Sequence, residues 1–265
     1  MKVVLFCGGM GMRLYPSTEN IPKPMVLVGE KPILWHLMKY YSHFGHKEFI
    51  ICLGYKGEQI KKFFLNYDEC LANDFTLSNG GKKRKLIKSD IEDWKITFAD
   101  TGLHSNIGQR LKAVQNYLEE DEIFLANYSD AVTDMPLPDI INFFKDSGKI
   151  GCFTAVRPFN TFHIISTDSN DLVTDMFPID KSNIRINGGF FVFKKEIFDY
   201  IHKGEELVIE PFHRLIKKKE LIAYKYDGFW GNMDTYKDKQ KLDELVDSDK
   251  TLWQVWKTHK DILSR

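Results

Sequence analysis

The sequence contains no long hydrophobic run. Every apolar stretch is far shorter than the roughly 18 residues that a membrane-spanning helix needs. The first of them, residues 3–6, is also too short for the core of a secretion signal, and glycines follow it closely. We therefore expect a cytoplasmic protein with neither a membrane segment nor a membrane partner.

Cysteine is scarce, and its spacing matches no metal or redox motif. The four cysteines form no CxxC pair, and Cys7 and Cys52 lie within apolar stretches. Cysteine is among the residues most often buried in protein cores. We expect all four, Cys7, Cys52, Cys70 and Cys152, to be reduced core residues.

An excess of charge of either sign is also absent. The chain has 37 Lys and Arg residues and 37 Asp and Glu residues, so its formal net charge is zero. Without a net positive field, nothing attracts nucleic acid non-specifically. The basic run at residues 82–85 lacks the interleaved aromatic residues of a nucleic-acid-binding surface. No nucleic-acid partner is expected, and an anionic ligand would need a local cluster of cations.

Length and composition indicate a folded globular protein built on one large domain, with 265 residues, 43% hydrophobic and 14% aromatic. Continuous apolar runs, suited to strands covered on both faces, alternate with segments of helical periodicity. The predicted strands are residues 3–7, 49–53, 123–126 and 151–156, and the predicted helices are residues 32–44, 57–67, 109–118 and 137–147. This alternation is typical of a doubly wound α/β fold.

The second half of the chain has a different pattern. Predicted strands at residues 163–166, 186–193 and 221–226 surround predicted helices at residues 195–201 and 211–219, and residues 74–93 are predicted to form a hairpin. Residues 242–246 and 252–256 indicate a helical tail that packs through Trp253 and Trp256. The complete prediction is an α/β fold with a Rossmann-like, doubly wound, mixed but mostly parallel sheet, a small β extension and C-terminal helices. Its main domain covers residues 1–240, and the tail at residues 241–265 packs on it.

A glycine-rich loop after the first strand has the composition of a phosphate-binding site. Gly8, Gly9 and Gly11 let backbone N–H groups approach phosphate oxygens closely, and Arg13 and Lys23 add positive charge. The loop lacks the GKS/T ending of the NTPase phosphate loop and the GxGxxG spacing of dinucleotide-binding loops. An ordinary strand-to-helix turn is the alternative explanation for the glycines.

Acidic residues follow the predicted strand at residues 123–126. Ligands of open α/β sheets bind outside the carboxyl ends of the strands, and carboxylate oxygens suit Mg²⁺ there, so Asp130 is the first predicted metal ligand. For Asp134 we prefer the role of a helix N-cap. Asp234, in a later Gly-Phe-Trp-Gly-Asn-Met-Asp motif, is a second candidate, but the sequence alone cannot bring it to Asp130.

A set of motifs in fixed order along nearly the whole chain resembles the sugar-1-phosphate nucleotidylyltransferases, and among them the cytidylyltransferases. The motifs are Gly8-Gly9-x-Gly11-x-Arg13-Leu14, Pro22-Lys23-Pro24-Met25, Lys31-Pro-Ile-Leu-Trp-His36, Gly54-Tyr-Lys-Gly57, Asp100-Thr-Gly102, Ile186-Asn-Gly-Gly-Phe-Phe191 and Gly228-Phe-Trp with Met233-Asp234-Thr235.

The resemblance implies roles for individual residues. The glycine loop and Arg13 would bind the triphosphate of CTP, Lys23 the phosphates at the reacting centre, and Arg110 the region of the base. Asp130 and Asp234 would share one Mg²⁺. Catalysis would depend on Arg13, Lys23 and Asp130, as a sugar 1-phosphate attacks the α-phosphorus and pyrophosphate leaves.

On the sugar side the sequence departs from the family. Asn187 and Gly188 match the family's sugar-contacting segment, but the Glu-Lys-Pro segment that usually precedes it, and whose Lys binds the sugar phosphate, is missing. Lys181 or Arg185 are the candidates to supply that charge, and a solvated loop is the alternative. Glucose 1-phosphate is the expected acceptor.

Two other hypotheses remain open. The chain could use a different sugar or polyol phosphate with the same nucleotide half, or it could be a non-catalytic nucleotide-sensing module that has lost the acceptor site. The resemblance also implies a homo-oligomer, in which the hairpin at residues 74–93 would reach a neighbouring subunit.

Overall fold

A computed structural model describes residues 1–11, 14, 21–158 and 162–257 of the chain. Arg13, one of the predicted catalytic residues, lies outside this set. Within the described residues, no helix has the length and apolar character needed to cross a bilayer.

The secondary structure alternates between strands and helices in the first half and becomes richer in short strands in the second. The strands are β1 (Val3–Phe6), β2 (Leu27–Val28), β3 (Lys31–Pro32), β4 (Glu48–Leu53), β5 (Phe75–Ser78), β6 (Lys83–Leu86), β7 (Lys95–Asp100), β8 (Ile123–Tyr128), β9 (Ala131–Thr133), β10 (Gly151–Val156), β11 (His163–Thr167), β12 (Val173–Pro178), β13 (Ile186–Asn187), β14 (Phe191–Lys194), β15 (Leu221–Tyr226) and β16 (Trp230–Asn232). The α-helices are α1 (Ile33–His43), α2 (Gly57–Leu65), α3 (Glu69–Ala72), α4 (Ile107–Ala113), α5 (Leu137–Ser147), α6 (Glu210–Lys217) and α7 (Tyr236–Asp247). Short 3-10 helices cover Lys23–Met25, Gln115–Leu118, Ile179–Lys181 and Lys195–Tyr200.

An eight-stranded mixed sheet is the centre of the fold. Its order is β13-β10-β14-β8-β1-β4-β7, with β15 paired to β10. Strands β8, β1, β4 and β7 are mutually parallel, and β15 is parallel to β10, whereas β14 is antiparallel to both of its neighbours. The prediction of a Rossmann-like, mostly parallel, doubly wound sheet with a β extension is confirmed.

The central strands are apolar on both faces because helices cover both. In β1, Val3 and Leu5 belong to one core cluster together with residues of α1 and α5, and Val4 and Phe6 belong to a second with residues of α4 and α6. A continuous apolar run is the expected pattern for such a strand. A third cluster joins Leu14, β2 and α7 to the buried Trp253.

Three local predictions were wrong. The strand predicted at residues 186–193 is interrupted at Gly188-Gly189-Phe190, where Gly189 and Phe190 have positive φ angles and so cannot continue a strand. Residues 252–256 form turns rather than a helix, although Trp253 is fully buried. Cys70 is only partly buried, whereas Cys7, Cys52 and Cys152 are buried; all four are free thiols.

Candidate active site

A pocket of about 400 Å³ opens where β1 and β8 end, at the carboxyl edge of the sheet. Loops diverge from neighbouring parallel strands at this edge, which is where open α/β sheets bind their ligands. The lining residues are Phe6, Gly9, Met10, Gly11, Lys23, Pro24, Ile107, Tyr128, Ser129, Asp130 and Asp234.

One ammonium group and two carboxylates meet in this pocket. Lys23 Nζ donates to Asp130 Oδ2 and, at 2.6 Å, to Asp234 Oδ1. The side chains of all three are mostly shielded from water, since their exposed fractions are 15% for Lys23, 22% for Asp130 and 32% for Asp234. The two predicted metal ligands, Asp130 and Asp234, therefore contact the same ammonium group.

The fold explains how two distant aspartates meet. Asp130 lies in the turn between β8 and β9, and Asp234 follows β16. Strand β16 is antiparallel to β9, with Asn232 opposite Ala131, and the N–H of Met233 donates to the carbonyl oxygen of Asp130 at 2.8 Å. This pairing of two three-residue strands places both carboxylates at one point.

Lys23 reaches them from the 3-10 helix Lys23–Met25, which begins after Pro22 and contains Pro24. Burial alone would lower the pKa of the Lys23 ammonium, but the two carboxylates more than offset it, and the pKa is raised above its usual value. Lys23 therefore remains a cation in the pocket.

The donor set suits a divalent cation. Carboxylate oxygens are the ligands that Mg²⁺ prefers, and it takes one or two of them together with waters and substrate phosphates. One oxygen from each carboxylate already contacts a positive charge here, namely the Lys23 ammonium. Within the described ranges, no group of three or more His, Cys, Asp or Glu side chains is placed to hold a metal ion.

The glycine loop forms one wall of the pocket through Gly9 and Gly11, and Gly11 has a φ of +63°, in the region that favours glycine. Gly8 has another reason to be glycine. A Cβ atom at that position would lie 2.1 Å from the guanidinium carbon of Arg110, so that buried group would have to move.

Arg110 lies beneath this loop rather than in the pocket wall. It is 2% exposed, and its guanidinium donates to the carbonyl oxygens of Gly8, Leu53 and Gly102 at 3.1, 3.0 and 2.9 Å and to Thr101 Oγ1 at 2.7 Å. One side chain thus joins the loops that follow β1, β4 and β7. The sequence predicted Arg110 near the nucleotide but gave no indication of this bracing contact.

Asn187 contacts Tyr128, which lines the pocket. Its Nδ2 donates to the Tyr128 hydroxyl at 3.4 Å, and its Oδ1 accepts from the N–H of Gly189 at 2.9 Å. The carbonyl oxygen of Gly188 accepts from Trp230 Nε1 at 2.9 Å. Tyr128 lines the pocket but was missed by the sequence analysis, although its place at the end of a buried strand, two residues before Asp130, was a usable signal.

The two candidates for the missing sugar-phosphate cation differ in their surroundings. Lys181 is exposed at the end of the 3-10 helix Ile179–Lys181. The guanidinium of Arg185 instead donates to the Asp227 carboxylate and to the carbonyl oxygens of Ala155 and Tyr226. Arg185 is thus not part of a solvated loop.

The N-cap role predicted for Asp134 was wrong. Helix α5 has no side-chain cap, and its N-cap position is Pro136. Asp134 Oδ1 instead accepts from the Tyr226 hydroxyl and, at 2.8 Å, from the N–H of Phe229. The carboxylate therefore ties β9 to the segment that leads to Asp234.

The sequence and the fold are similar to those of known proteins. The model of the nucleotidyl transferase family matches residues 2–244, and the chain belongs to this family. It is 39% identical over 257 residues to the glucose-1-phosphate cytidylyltransferase of Salmonella typhi, covering 97% of this chain and 100% of that protein. It is 36% identical over 258 residues to the probable glucose-1-phosphate cytidylyltransferase of Bacillus subtilis (strain 168), with the same coverage.

Solved structures share the fold at lower sequence identity. An apo UDP-glucose pyrophosphorylase superposes with a TM-score of 0.69 at 17% identity, covering 94% of this chain and 99% of that one. HddC from Yersinia pseudotuberculosis superposes with a TM-score of 0.64 at 20% identity, covering 92% and 99%.

Proposed function

We propose that this protein is a sugar-1-phosphate cytidylyltransferase that joins CTP to glucose 1-phosphate, releasing CDP-glucose and pyrophosphate with Mg²⁺ as cofactor. The observation that carries the proposal is the convergence of Asp130 and Asp234 on one cation beside the glycine loop. The names of the two full-length cytidylyltransferase relatives support the nucleotide and the acceptor.

The reaction requires two anions to be held in line. A phosphate oxygen of the sugar 1-phosphate forms a bond to the α-phosphorus of CTP, and the bond from that phosphorus to the oxygen bridging to the β-phosphate breaks as pyrophosphate leaves. The nucleophile is already an anion, so no covalent enzyme intermediate or strong base is needed, and positioning with charge neutralisation dominates the rate.

The described residues divide this work. The glycine loop of Gly8, Gly9 and Gly11 binds the triphosphate, and Lys23 stabilises the charge that develops on the leaving group, with Arg13 as its expected partner. Asp130 and Asp234 would hold Mg²⁺, which would supply further charge neutralisation at the phosphates. Arg110 keeps the nucleotide-binding loops in place.

The acceptor is assigned to the neighbouring part of the sheet edge. Asn187 and Gly188 contact the sugar, with Asn187 placed by its contact to Tyr128. Lys181 provides the cation for the sugar phosphate, and Arg185, whose guanidinium is occupied by protein oxygens, supports the segment that carries Lys181.

Pyrophosphate release tests the proposal. CTP, UTP, dTTP, ATP and GTP are each incubated with Mg²⁺ and glucose 1-phosphate, and the product is identified by mass spectrometry. Release with CTP and a CDP-glucose mass is the expected result. Asp130→Asn and Asp234→Asn should each lower kcat by at least about 100-fold while the protein stays folded; near-normal activity in either would overturn the metal assignment.

Other results of the same assay separate the alternatives. Turnover of CTP with a different sugar or polyol phosphate would replace glucose 1-phosphate as acceptor. CTP binding without turnover of any phosphate would favour the nucleotide-sensing module.

We further propose that the protein is a cytoplasmic homo-oligomer. The hairpin of β5 and β6 is separate from the central sheet, and it exposes Phe75, Leu77 and the basic side chains of β6. An isolated two-stranded hairpin is marginally stable in water, which favours a contact with a neighbouring subunit.

A further inference from the structure

Three charged side chains form a cluster at the same sheet edge as the pocket. Asp227 Oδ1 accepts from Arg157 Nε and from Arg185 Nη2, each at 2.8 Å, and Asp227 Oδ2 accepts from Arg185 Nη2 at 3.0 Å. Arg157, Arg185 and Asp227 are called the Asp227 cluster below. Arg157 matches none of the motifs singled out in the sequence.

Strand register explains why these residues meet. Val156, at the end of β10, pairs with Tyr226, at the end of the parallel strand β15, and with Ile186, at the start of the antiparallel strand β13. The residues that follow β10 and β15 and the residue that precedes β13 are therefore neighbours. Because β14 is antiparallel to both β10 and β8, β10 ends at the same edge as β8, where the pocket opens.

The Asp227 cluster holds the acceptor segment, defined here as residues 179–188. Arg157 Nη1 donates to the carbonyl oxygen of Ser182 at 3.0 Å. Arg185 Nη1 donates to the carbonyl oxygens of Ala155 and Tyr226, each at 3.1 Å. The segment is thereby attached to β10 and β15 at two points, one on either side of residues 183 and 184.

Ser182, whose carbonyl oxygen accepts from Arg157, is itself held by two further hydrogen bonds. Its side chain is buried, and its hydroxyl donates to the carbonyl oxygen of Ile179 at 2.6 Å and accepts from the N–H of Ile184 at 3.1 Å. Lys181 lies directly before this anchored residue, and Asn187 and Gly188 follow the second attachment.

We propose that Arg157 is a positioning residue for the acceptor. By bridging Asp227 and the Ser182 carbonyl, it fixes the acceptor segment so that Lys181, Asn187 and Gly188 are held for the phosphate and sugar of a sugar 1-phosphate. When a loop and a long side chain become ordered only on binding, the loss of their conformational freedom lowers affinity. A segment that is already ordered before binding avoids most of this loss of affinity. This proposal rests on the proposed function, because the acceptor segment is assigned there.

The effect of Arg157 should be confined to the acceptor half of the reaction. Lys23, Asp130 and the glycine loop are held by other contacts, so the binding of CTP and the chemistry at its α-phosphorus do not depend on the cluster. Loss of Arg157 should raise KM for the sugar phosphate and leave KM for CTP and kcat nearly unchanged.

The kinetic test compares Arg157→Gln and Arg157→Lys with Lys95→Gln. Lys95 pairs with Glu48 at 3.2 Å, and both lie at the start of their strands, at the opposite edge of the sheet. For Arg157→Gln we expect KM for glucose 1-phosphate to rise about tenfold or more, with KM for CTP and kcat within about twofold. Arg157→Lys keeps the charge but cannot reproduce the forked contact, so its KM should be intermediate. Equal changes in both KM values, or no change beyond that of Lys95→Gln, would overturn the proposal.

Hydrogen exchange of the substrate-free protein tests the same idea without activity. Backbone amides of residues 182–185 should exchange about tenfold faster in Arg157→Gln than in the wild type or Lys95→Gln. Unchanged exchange there overturns the positioning role, whichever acceptor is used. Failure of the proposed function is a separate result, namely no pyrophosphate release by the wild type. If Arg157→Gln does not fold, Arg157→Lys serves for both measurements.

Discussion

Replacing Lys23 with Met would leave the carboxylates of Asp130 and Asp234 without their shared cation. Removing one partner of a buried ion pair costs about 3–5 kcal/mol. The exposed fractions of 15%, 22% and 32% for these three side chains show that water reaches the cluster, so we reduce this to about 2–3 kcal/mol. At about 2–4 °C per kcal/mol for a large domain, Tm should fall by about 4–12 °C.

Mg²⁺ should restore part of this loss in Lys23→Met and do little in the wild type. A metal at ten times its Kd contributes about 1.4 kcal/mol, or about 3–6 °C. In the wild type the Lys23 ammonium already occupies the position between the carboxylates, so a metal must displace it and gains less.

Thermal unfolding followed by circular dichroism, with MgCl₂ titrated into each protein, measures both effects. Lys47→Met is the matched control, because Lys47 pairs with Asp93 at an exposed site where the loss should stay below about 1 kcal/mol. Two results would refute the reasoning: a Lys23→Met protein as stable as the wild type, or a Mg²⁺-induced rise in Tm that is no larger in the variant than in the wild type.

Three other predictions follow from the structure. Gly8→Ala should lower the unfolding free energy in urea by about 1–3 kcal/mol, because its Cβ would meet the buried Arg110 guanidinium, whereas Gly9→Ala, with open space around it, should change stability by less than about 0.5 kcal/mol. Burial lowers the pKa of His36 to about 4 from 6.5, so the unfolded state binds more protons than the folded state between these pH values. The unfolding free energy, measured relative to His36→Gln, should therefore fall by up to about 3 kcal/mol as the pH drops from 6.5 to 4. Parallel curves of unfolding free energy against pH for the two proteins would contradict this. Replacing residues 75–86 with a short flexible linker should reduce the number of subunits in the assembly, as measured by sedimentation. An unchanged number of subunits would argue against the hairpin as a subunit contact.

The parallel core of the fold could be predicted because each of its strands has a recognisable pattern within its own few residues. Strands β1, β4, β8 and β10 are continuous apolar runs, since helices cover both of their faces, and each begins within one residue of its predicted start. Strand β7 was not predicted. It lies at the edge of the sheet, its burial is mixed, and its sequence Lys-Ile-Thr-Phe-Ala-Asp contains polar residues that a buried run would exclude.

The site was predictable as a set of residues but not as an arrangement. The local motifs and the resemblance both pointed to Lys23, Asp130 and Asp234, yet their contact depends on the pairing of β16 with β9, two strands of three residues each that are far apart in the sequence. No local pattern records such a pairing. For the same reason the sequence did not reveal that Arg110 and Arg157 join separate loops, because each makes a joining contact to a backbone carbonyl oxygen, which carries no residue identity.

The burial of Trp253 links the end of the described chain to the start of the site. Its ring stacks on Phe229 and its Nε1 donates to His36, within the core cluster that also contains Val26 and Met233, neighbours of the Lys23 helix and of Asp234. A ribosome releases the glycine loop early and this tryptophan late. The nascent chain can therefore pair β1, β4 and β8 beside the glycine loop before β16 and Trp253 pack the wall that carries Asp234.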